Sequence, residues 1–280
     1  MIKTFKLFGL ILLIFAISSI LVFGQKTYLQ SNGLIFREDF KVLATGNYSN
    51  IETPYIFVAR DKKTYYQLQN LVEGLPKDID FKKNAVVAGF GGERSSGGWT
   101  VDIRKKSARV LVDLKSPGKD TMTTQAITTP FKVSLIPLNE GEELPLDITA
   151  SYLKNSKTFQ VKKGDFEYTG GIAGIRKKFN AVGTIQIITF GDYVTVLFDL
   201  KGKGTEQNRK LAEIASGTLK NGNILLSRLD AGSFVENPNP PFMVKGIMKD
   251  KQLSLNFEPL SSNIADGFRG KGNLTASLIK

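Results

Sequence analysis

The residues best suited to chemistry lie in one glycine-rich stretch, Gly89–Gly98. It places a carboxylate beside a guanidinium, Glu93 and Arg94, and two hydroxyl groups follow, Ser95 and Ser96. A phosphate-binding loop would need Gly-Lys-Ser/Thr after the glycines, and a dinucleotide-binding turn would need glycine at position 94. Neither requirement is met, so the stretch does not predict a nucleotide site.

Catalysis of the usual kinds is excluded by composition, because the 280 residues contain no histidine and no cysteine. This removes serine–histidine triads, cysteine–histidine dyads, thiolate zinc sites and imidazole acid–base catalysis. A carboxylate pair of Glu93 with Asp102 remains conceivable, as does Ser107 beside Lys105, but neither has a diagnostic spacing. We therefore expect a protein that is not an enzyme and has no metal site and no cofactor.

The same stretch is better suited to holding a partner protein. Glycine allows positive φ and close contact between strands, so Gly91, Gly92, Gly97 and Gly98 are predicted to form a tight β connection. Loops carry binding residues, and tryptophan and arginine dominate the energetics of interfaces. The candidate partner-binding residues are the polar and aromatic members of this connection: Glu93, Arg94, Ser95, Ser96 and Trp99.

Two simpler interpretations of these residues remain open. Trp99, the only tryptophan in the chain, could cover the following hairpin as a core residue. Glu93 and Arg94 could form a solvated charge pair with little energetic consequence.

Around this connection the pattern predicts an α+β unit, with one helix packed on one face of an antiparallel sheet. The helix has apolar residues at helical spacing and Asp61 as its N-cap. The predicted strands are, in chain order, Phe40–Thr45 and Pro54–Arg60 before the helix, one from Val86, the hairpin of Thr100–Arg104 with Arg109–Leu114, and a final strand.

This unit, residues 40–138, resembles the PrcB-like C-terminal domain family, named for a component of a surface protease complex. The resemblance lies in the helix, in the acidic–aromatic step Asp80–Phe81 before an apolar strand, and in the glycine turn. Trp99 stands where the family commonly has tyrosine, so a large ring is kept without its hydroxyl. The resemblance implies a protein-interaction module that associates with, and stabilises, an extracytoplasmic protease or envelope complex.

Residues 1–25 predict an export signal. Lys3 and Lys6 precede the apolar run Leu7–Phe23, and Gly24 provides a small residue for cleavage. The run is near the lower length limit of a spanning helix, so an uncleaved anchor is the alternative. No cysteine follows, which excludes lipoprotein processing there. We expect a periplasmic, outer-surface or extracellular protein that meets a membrane only through an uncleaved leader.

Three further segments follow the leader: the PrcB-like unit (26–138), an acidic, proline-bearing linker (139–149) and a second unit (150–280). The last is almost entirely strand and turn, with a hairpin turn at Gly191–Asp192. This predicts an antiparallel β-barrel or a two-sheet sandwich.

Two finer expectations concern the inside of the second unit. A short helix should follow Thr205 and place Leu211, Ile214 and Ala215 inward. Aromatic side chains could line a cavity for a lipid or another apolar ligand, although they would fill a solid core equally well. These aromatic residues are Phe190, Phe198, Phe242, Phe257 and Phe268.

The net charge of +12 falls to +10 without Lys3 and Lys6 and is spread over both units. Basic runs such as Arg104–Lys106 and Arg176–Lys178 fall in expected turns. We therefore expect no nucleic-acid partner, and at most a mild attraction to acidic proteins or membrane headgroups.

Overall fold

A computed structural model describes residues 40–107, 109–139, 142–170, 175–230, 241–260 and 269–279. The predicted leader lies outside these residues. All of the described residues belong to one compact unit. None of its helices has both the length and the hydropathy needed to cross a bilayer.

The order of elements expected in the first half is confirmed. A four-stranded antiparallel sheet has the strand order β1-β6-β3-β2, and a second sheet has the order β4-β5-β7, with β7 parallel to β5. The elements are β1 (Lys41–Gly46), β2 (Tyr55–Ala59), α1 (Lys62–Gln69), β3 (Asn84–Phe90), β4 (Thr100–Lys106), β5 (Arg109–Lys115), β6 (Phe131–Pro137), β7 (Leu146–Ile148) and α2 (Ala150–Leu153).

Helix α1 begins as the sequence predicts. The backbone N–H of Thr64 donates to the Asp61 carboxylate at 2.8 Å, which satisfies one of the free donors at the helix start. Tyr65 and Leu68 are buried against the four-stranded sheet. The helix therefore covers one face of that sheet.

The other face is covered by the three-stranded sheet. Alternate residues of β3 point to opposite sides, so Val86 packs toward α1 whereas Val87 packs against Val101 and Val112 of the second sheet. Because both faces are buried, β2 is apolar throughout and β3 is apolar after its first residue, Asn84.

The segment expected to be a linker is packed against the first half from Leu144 onward. Leu144 is buried, and β7 pairs with β5 from Val110↔Leu146 to Val112↔Ile148. Helix α2 then places Tyr152 in the same core as Leu144.

The second half is a closed antiparallel barrel of eight strands, each paired with the next along the chain, with β15 closing on β8. This confirms a barrel rather than a sandwich. The strands are β8 (Lys157–Gly170), β9 (Ile175–Phe190), β10 (Tyr193–Gly202), β11 (Lys210–Lys220), β12 (Asn223–Leu229), β13 (Phe242–Lys249), β14 (Gln252–Pro259) and β15 (Arg269–Leu278).

The prediction of a short helix after Thr205 was wrong. Only a 3-10 turn, Gly204–Glu206, precedes strand β11. Leu211 and Ala215 pack inside the barrel, whereas Ile214 packs outside it against the first half. Because both faces of β11 are buried, its apolar residues imitate helical spacing.

Aromatic side chains fill the barrel interior. Phe257 lies 5.0 Å from Phe166, 5.8 Å from Phe198 and 5.9 Å from Phe242, measured between ring centroids. The apolar-ligand alternative gains no support from this packed core. Phe190, expected inside, instead lies outside the barrel in the core of the first half, and Phe268 lies outside the described residues.

The outer face of the barrel is joined to β2 by buried hydroxyl groups. Thr195 on β10 donates to the carbonyl oxygen of Ile56 at 2.6 Å. Ser216 on β11 accepts from the N–H of Val58 at 2.9 Å. Side chains of the barrel therefore provide hydrogen-bond partners for part of the β2 backbone.

Candidate partner-binding surface

The connection 91–99, between β3 and β4, is held by a neighbouring segment rather than standing free. Arg94 and Thr128 exchange two backbone hydrogen bonds, of 2.8 and 2.9 Å, and the N–H of Gly97 donates to the Thr124 carbonyl at 2.9 Å. Bonds of this strand-like kind fix the path of the connection.

The four glycines of the connection occupy places that a larger residue would not fit. Gly92 and Gly98 have φ of +71° and +80°, in the left-handed region that favours glycine. A Cβ on Gly91 or Gly97 would lie 2.8 or 2.5 Å from the nearest side-chain atom of the 124–130 segment. The close approach of the two segments thus depends on glycine.

The structure brings two of the five candidate residues together. The Arg94 guanidinium lies over the Trp99 ring, 4.9 Å from its centroid, and also donates to the Gly91 carbonyl at 2.5 Å. Within the described residues Arg94 is therefore engaged with Trp99 and Gly91, not with the Glu93 carboxylate. A guanidinium stacked on an indole forms one rigid, amphipathic feature.

The other three candidates do not join this pair. The side chains of Glu93 and Ser95 are exposed, and Ser96 is half-buried. The carbonyl oxygen of Ser96 accepts from the Thr128 hydroxyl at 3.1 Å, so its backbone helps to hold the connection.

Three exposed apolar residues beside the connection were missed by sequence reasoning: Tyr48, Met122 and Ile127. The turn that carries Tyr48 is bound to the same segment as the connection, because the N–H of Thr129 donates to the Asn47 carbonyl at 2.9 Å. We call these residues, together with the exposed and half-buried candidates, the rim: Tyr48, Glu93, Arg94, Ser95, Ser96, Trp99, Met122 and Ile127.

The sequence did contain a signal for this surface. Residues 121–130 include no charged side chain, although 23% of the chain is charged. Six of these ten residues are exposed. Depletion of charge together with tyrosine, tryptophan, methionine and arginine is the composition found at the centres of protein interfaces.

A second polar cluster is buried where the two halves meet. Arg60, at the end of β2, pairs with Asp230 at 3.0 Å and with Glu213 at 3.5 Å. Arg228 pairs with Asp230 at 3.0 Å. The ladder between β11 and β12 covers only Gly217–Lys220, so the cluster lies where these two strands separate.

Glu213 is a buried acid of this cluster. Burial raises its pKa to about 8, because desolvation disfavours the carboxylate more than Arg60 stabilises it. The N–H of Leu144 donates to the same carboxylate at 3.2 Å. The cluster thus ties the first half to the barrel. Nothing in the sequence indicated it, because isolated charges in strands are typical of a solvated face.

Comparison with known families bears out the resemblance in part of the first half. Residues 85–137 match the family model described as PrcB C-terminal. This match runs from β3 to the end of β6 and includes the connection and the 121–130 segment, whereas β1, β2 and α1 precede it. The chain matches no curated protein and no solved structure significantly.

Proposed function

We propose that this protein is an exported, non-enzymatic binding protein whose PrcB-like region holds a partner protein at the rim. The partner belongs to an extracytoplasmic protease or envelope complex, which the protein stabilises by association. One observation carries the proposal: a rigid Arg94–Trp99 stack lies beside exposed, uncharged apolar side chains.

The rim has properties that lower the free-energy cost of binding a partner. Its backbone is fixed by hydrogen bonds to residues 124–130, so little conformational entropy is lost when a partner binds. Ile127 and Met122 present apolar area that water solvates poorly, and Arg94 and Trp99 are residue types that dominate binding energy.

The choice of partner is supported by the family match, since the family takes its name from a component of a surface protease complex. A binding role is supported by the absence of histidine and cysteine from the sequence. Export is supported by the apolar run Leu7–Phe23, and fractionation of cells that produce the full chain tests it.

Two isoleucines of similar exposure provide a matched test of the rim. Ile127, on the rim, is 62% exposed, and Ile247, on the barrel, is 55% exposed. The affinity-tagged chain and its Ile127→Asp and Ile247→Asp variants are purified from the native envelope, and co-purified proteins are quantified by mass spectrometry. We expect Ile127→Asp to lose proteins that Ile247→Asp retains.

Circular dichroism confirms that both variants are folded. A protease among the lost proteins supports the assigned class of partner. Loss of a different envelope protein supports the rim as the binding surface but rejects a protease as the partner. If Ile127→Asp retains every protein that the unmodified chain captures, the rim is not the binding surface.

A further inference from the structure

Strand β4 begins directly after Trp99 and lies at one edge of the three-stranded sheet. It pairs with β5 along its whole length, from Thr100↔Lys115 to Lys106↔Arg109. Among the described residues no other strand pairs with it. A strand carries backbone donors and acceptors on both sides, so the outer row of β4 can accept an added strand.

The charge of this edge is basic. Residues 100–115 contain five basic and two acidic side chains, a net charge of +3 (5 − 2). Asp102, the only acid on β4, already lies 2.6 Å from Lys115 and also pairs with Arg104. Lys105 and Lys106 are exposed at the far end of the strand from Trp99.

The end of the hairpin also sets two like charges against each other. Lys106 lies directly opposite Arg109 in the antiparallel ladder. Like charges at directly opposite positions destabilise a strand pair. Asp147 lies 2.5 Å from Arg109 and partly neutralises its charge. An anionic group beside Lys105 and Lys106 would stabilise this end of the hairpin further.

We infer that the partner supplies an extended, acidic segment that adds to the free edge of β4. Backbone hydrogen bonds along β4 hold this segment, its carboxylates lie near Lys105 and Lys106, and its other end reaches Trp99. The inference rests on the proposed function, since it assigns the chemistry of the partner that the rim holds. The free edge of β4 and the rim are contiguous, because Trp99 belongs to the rim and β4 starts at the next residue.

Trp99 makes the inference directly measurable, because it is the only tryptophan and adjoins β4. The probe is a peptide that alternates glutamate and valine and matches the seven residues of β4, blocked at both ends. It is titrated into the full chain while Trp99 emission is recorded. We expect a saturable change in emission that weakens as salt is added.

Three controls separate strand addition from general charge attraction. The same peptide with alternate backbone nitrogens methylated cannot complete the strand pairing and should not bind. A peptide that alternates lysine and valine should not bind either. In the variant with both Lys105→Glu and Lys106→Glu, binding of the acidic peptide should weaken about tenfold, since two exposed ion pairs become repulsive contacts.

The inference is overturned if the acidic peptide leaves Trp99 emission unchanged, or if its methylated form or the double variant binds equally well. The basic residues of β4 would then only keep this edge from pairing with other chains. The proposed function fails separately. If Ile127→Asp leaves partner capture unchanged while the peptide binds as expected, the rim is rejected and the edge site stands.

Discussion

The two halves of the molecule bury their apolar surface in different ways. The barrel closes on itself, and the core residues that the structure describes there all belong to β8–β15. The first half does not close: its two cores are completed by residues from the outer face of the barrel, among them Ile188 and Ile214. The first half therefore depends on the barrel, whereas the barrel core, within the residues that the structure describes, contains no side chain of the first half.

The polar groups of the first half divide in the same manner. At the joint with the barrel they are buried and paired, as Arg60 is with Asp230. At the rim they are exposed or stacked, as Arg94 is on Trp99. In the proposed function, the barrel therefore serves as a support, and the rim is the surface that binds a partner.

The largest expected effect comes from the barrel core. Phe257→Ala removes a ring that contacts three other phenylalanines and should lower the free energy of unfolding by about 4 kcal/mol. Because the first half depends on the barrel, denaturation followed by Trp99 fluorescence and by far-ultraviolet circular dichroism should shift together.

Ile247→Ala, on the exposed barrel surface, is the control for this variant and should change the free energy by about 0.5 kcal/mol or less. If Phe257→Ala moved the circular dichroism transition while the Trp99 transition stayed in place, the first half would be independently stable.

Arg60→Met tests the joint and should cost about 3 kcal/mol, because the buried Glu213 loses the cation beside it and Asp230 keeps Arg228 but loses Arg60. Lys62→Met, at an exposed position nearby, should be close to neutral. Urea denaturation of both variants measures the difference. Equal stabilities would mean that the buried cluster does not hold the two halves together.

Ser216→Ala should cost about 2 kcal/mol, because it leaves the buried N–H of Val58 without an acceptor. Ser254→Ala, at an exposed barrel position, provides the matched control. Denaturation midpoints give the comparison. If Ser216→Ala is as stable as the unmodified chain, the Ser216 hydroxyl does not help to hold the two halves together.

The last expected effect is a change in the pH dependence of stability. Burial raises the pKa of Glu213 from 4.5 to about 8, so the folded chain binds this proton more tightly than the unfolded chain. Glu213 therefore contributes stability that is full below about pH 4.5 and is lost as the pH rises through about 8.

Glu213→Gln has no carboxyl group to ionise, so its stability relative to the unmodified chain should rise as the pH increases from acid to mildly alkaline values. Thermal or urea denaturation at several pH values measures the slope. A constant difference between the two proteins across this range would show that Glu213 does not titrate there.

Local patterns predicted those elements whose signals are local. Asp61 forecast the start of α1, and the glycines near Trp99 forecast the tight connection between β3 and β4. The period-two pattern of the second half forecast its strands. In each case the residues responsible lie within a few positions of the structure that they determine.

The prediction failed where burial came from a distant part of the chain. Ile214 looked helical because the first half covers the outer face of β11, and Phe190 looked like a barrel core residue although it packs near Tyr55. The apolar part of the rim was missed for a similar reason. The turn of Tyr48 and the segment of Ile127 are joined to the connection through the backbone hydrogen bonds of residues 124–130.

The most direct test of the rim is site-specific photocrosslinking in the native envelope. A photoreactive phenylalanine derivative is placed at Ile127, on the rim, or at Ile247, on the barrel, whose exposures are similar. The account predicts a covalent adduct with one defined protein from position 127 and none from position 247. Adducts with the same protein from both positions, or from position 247 alone, would contradict it.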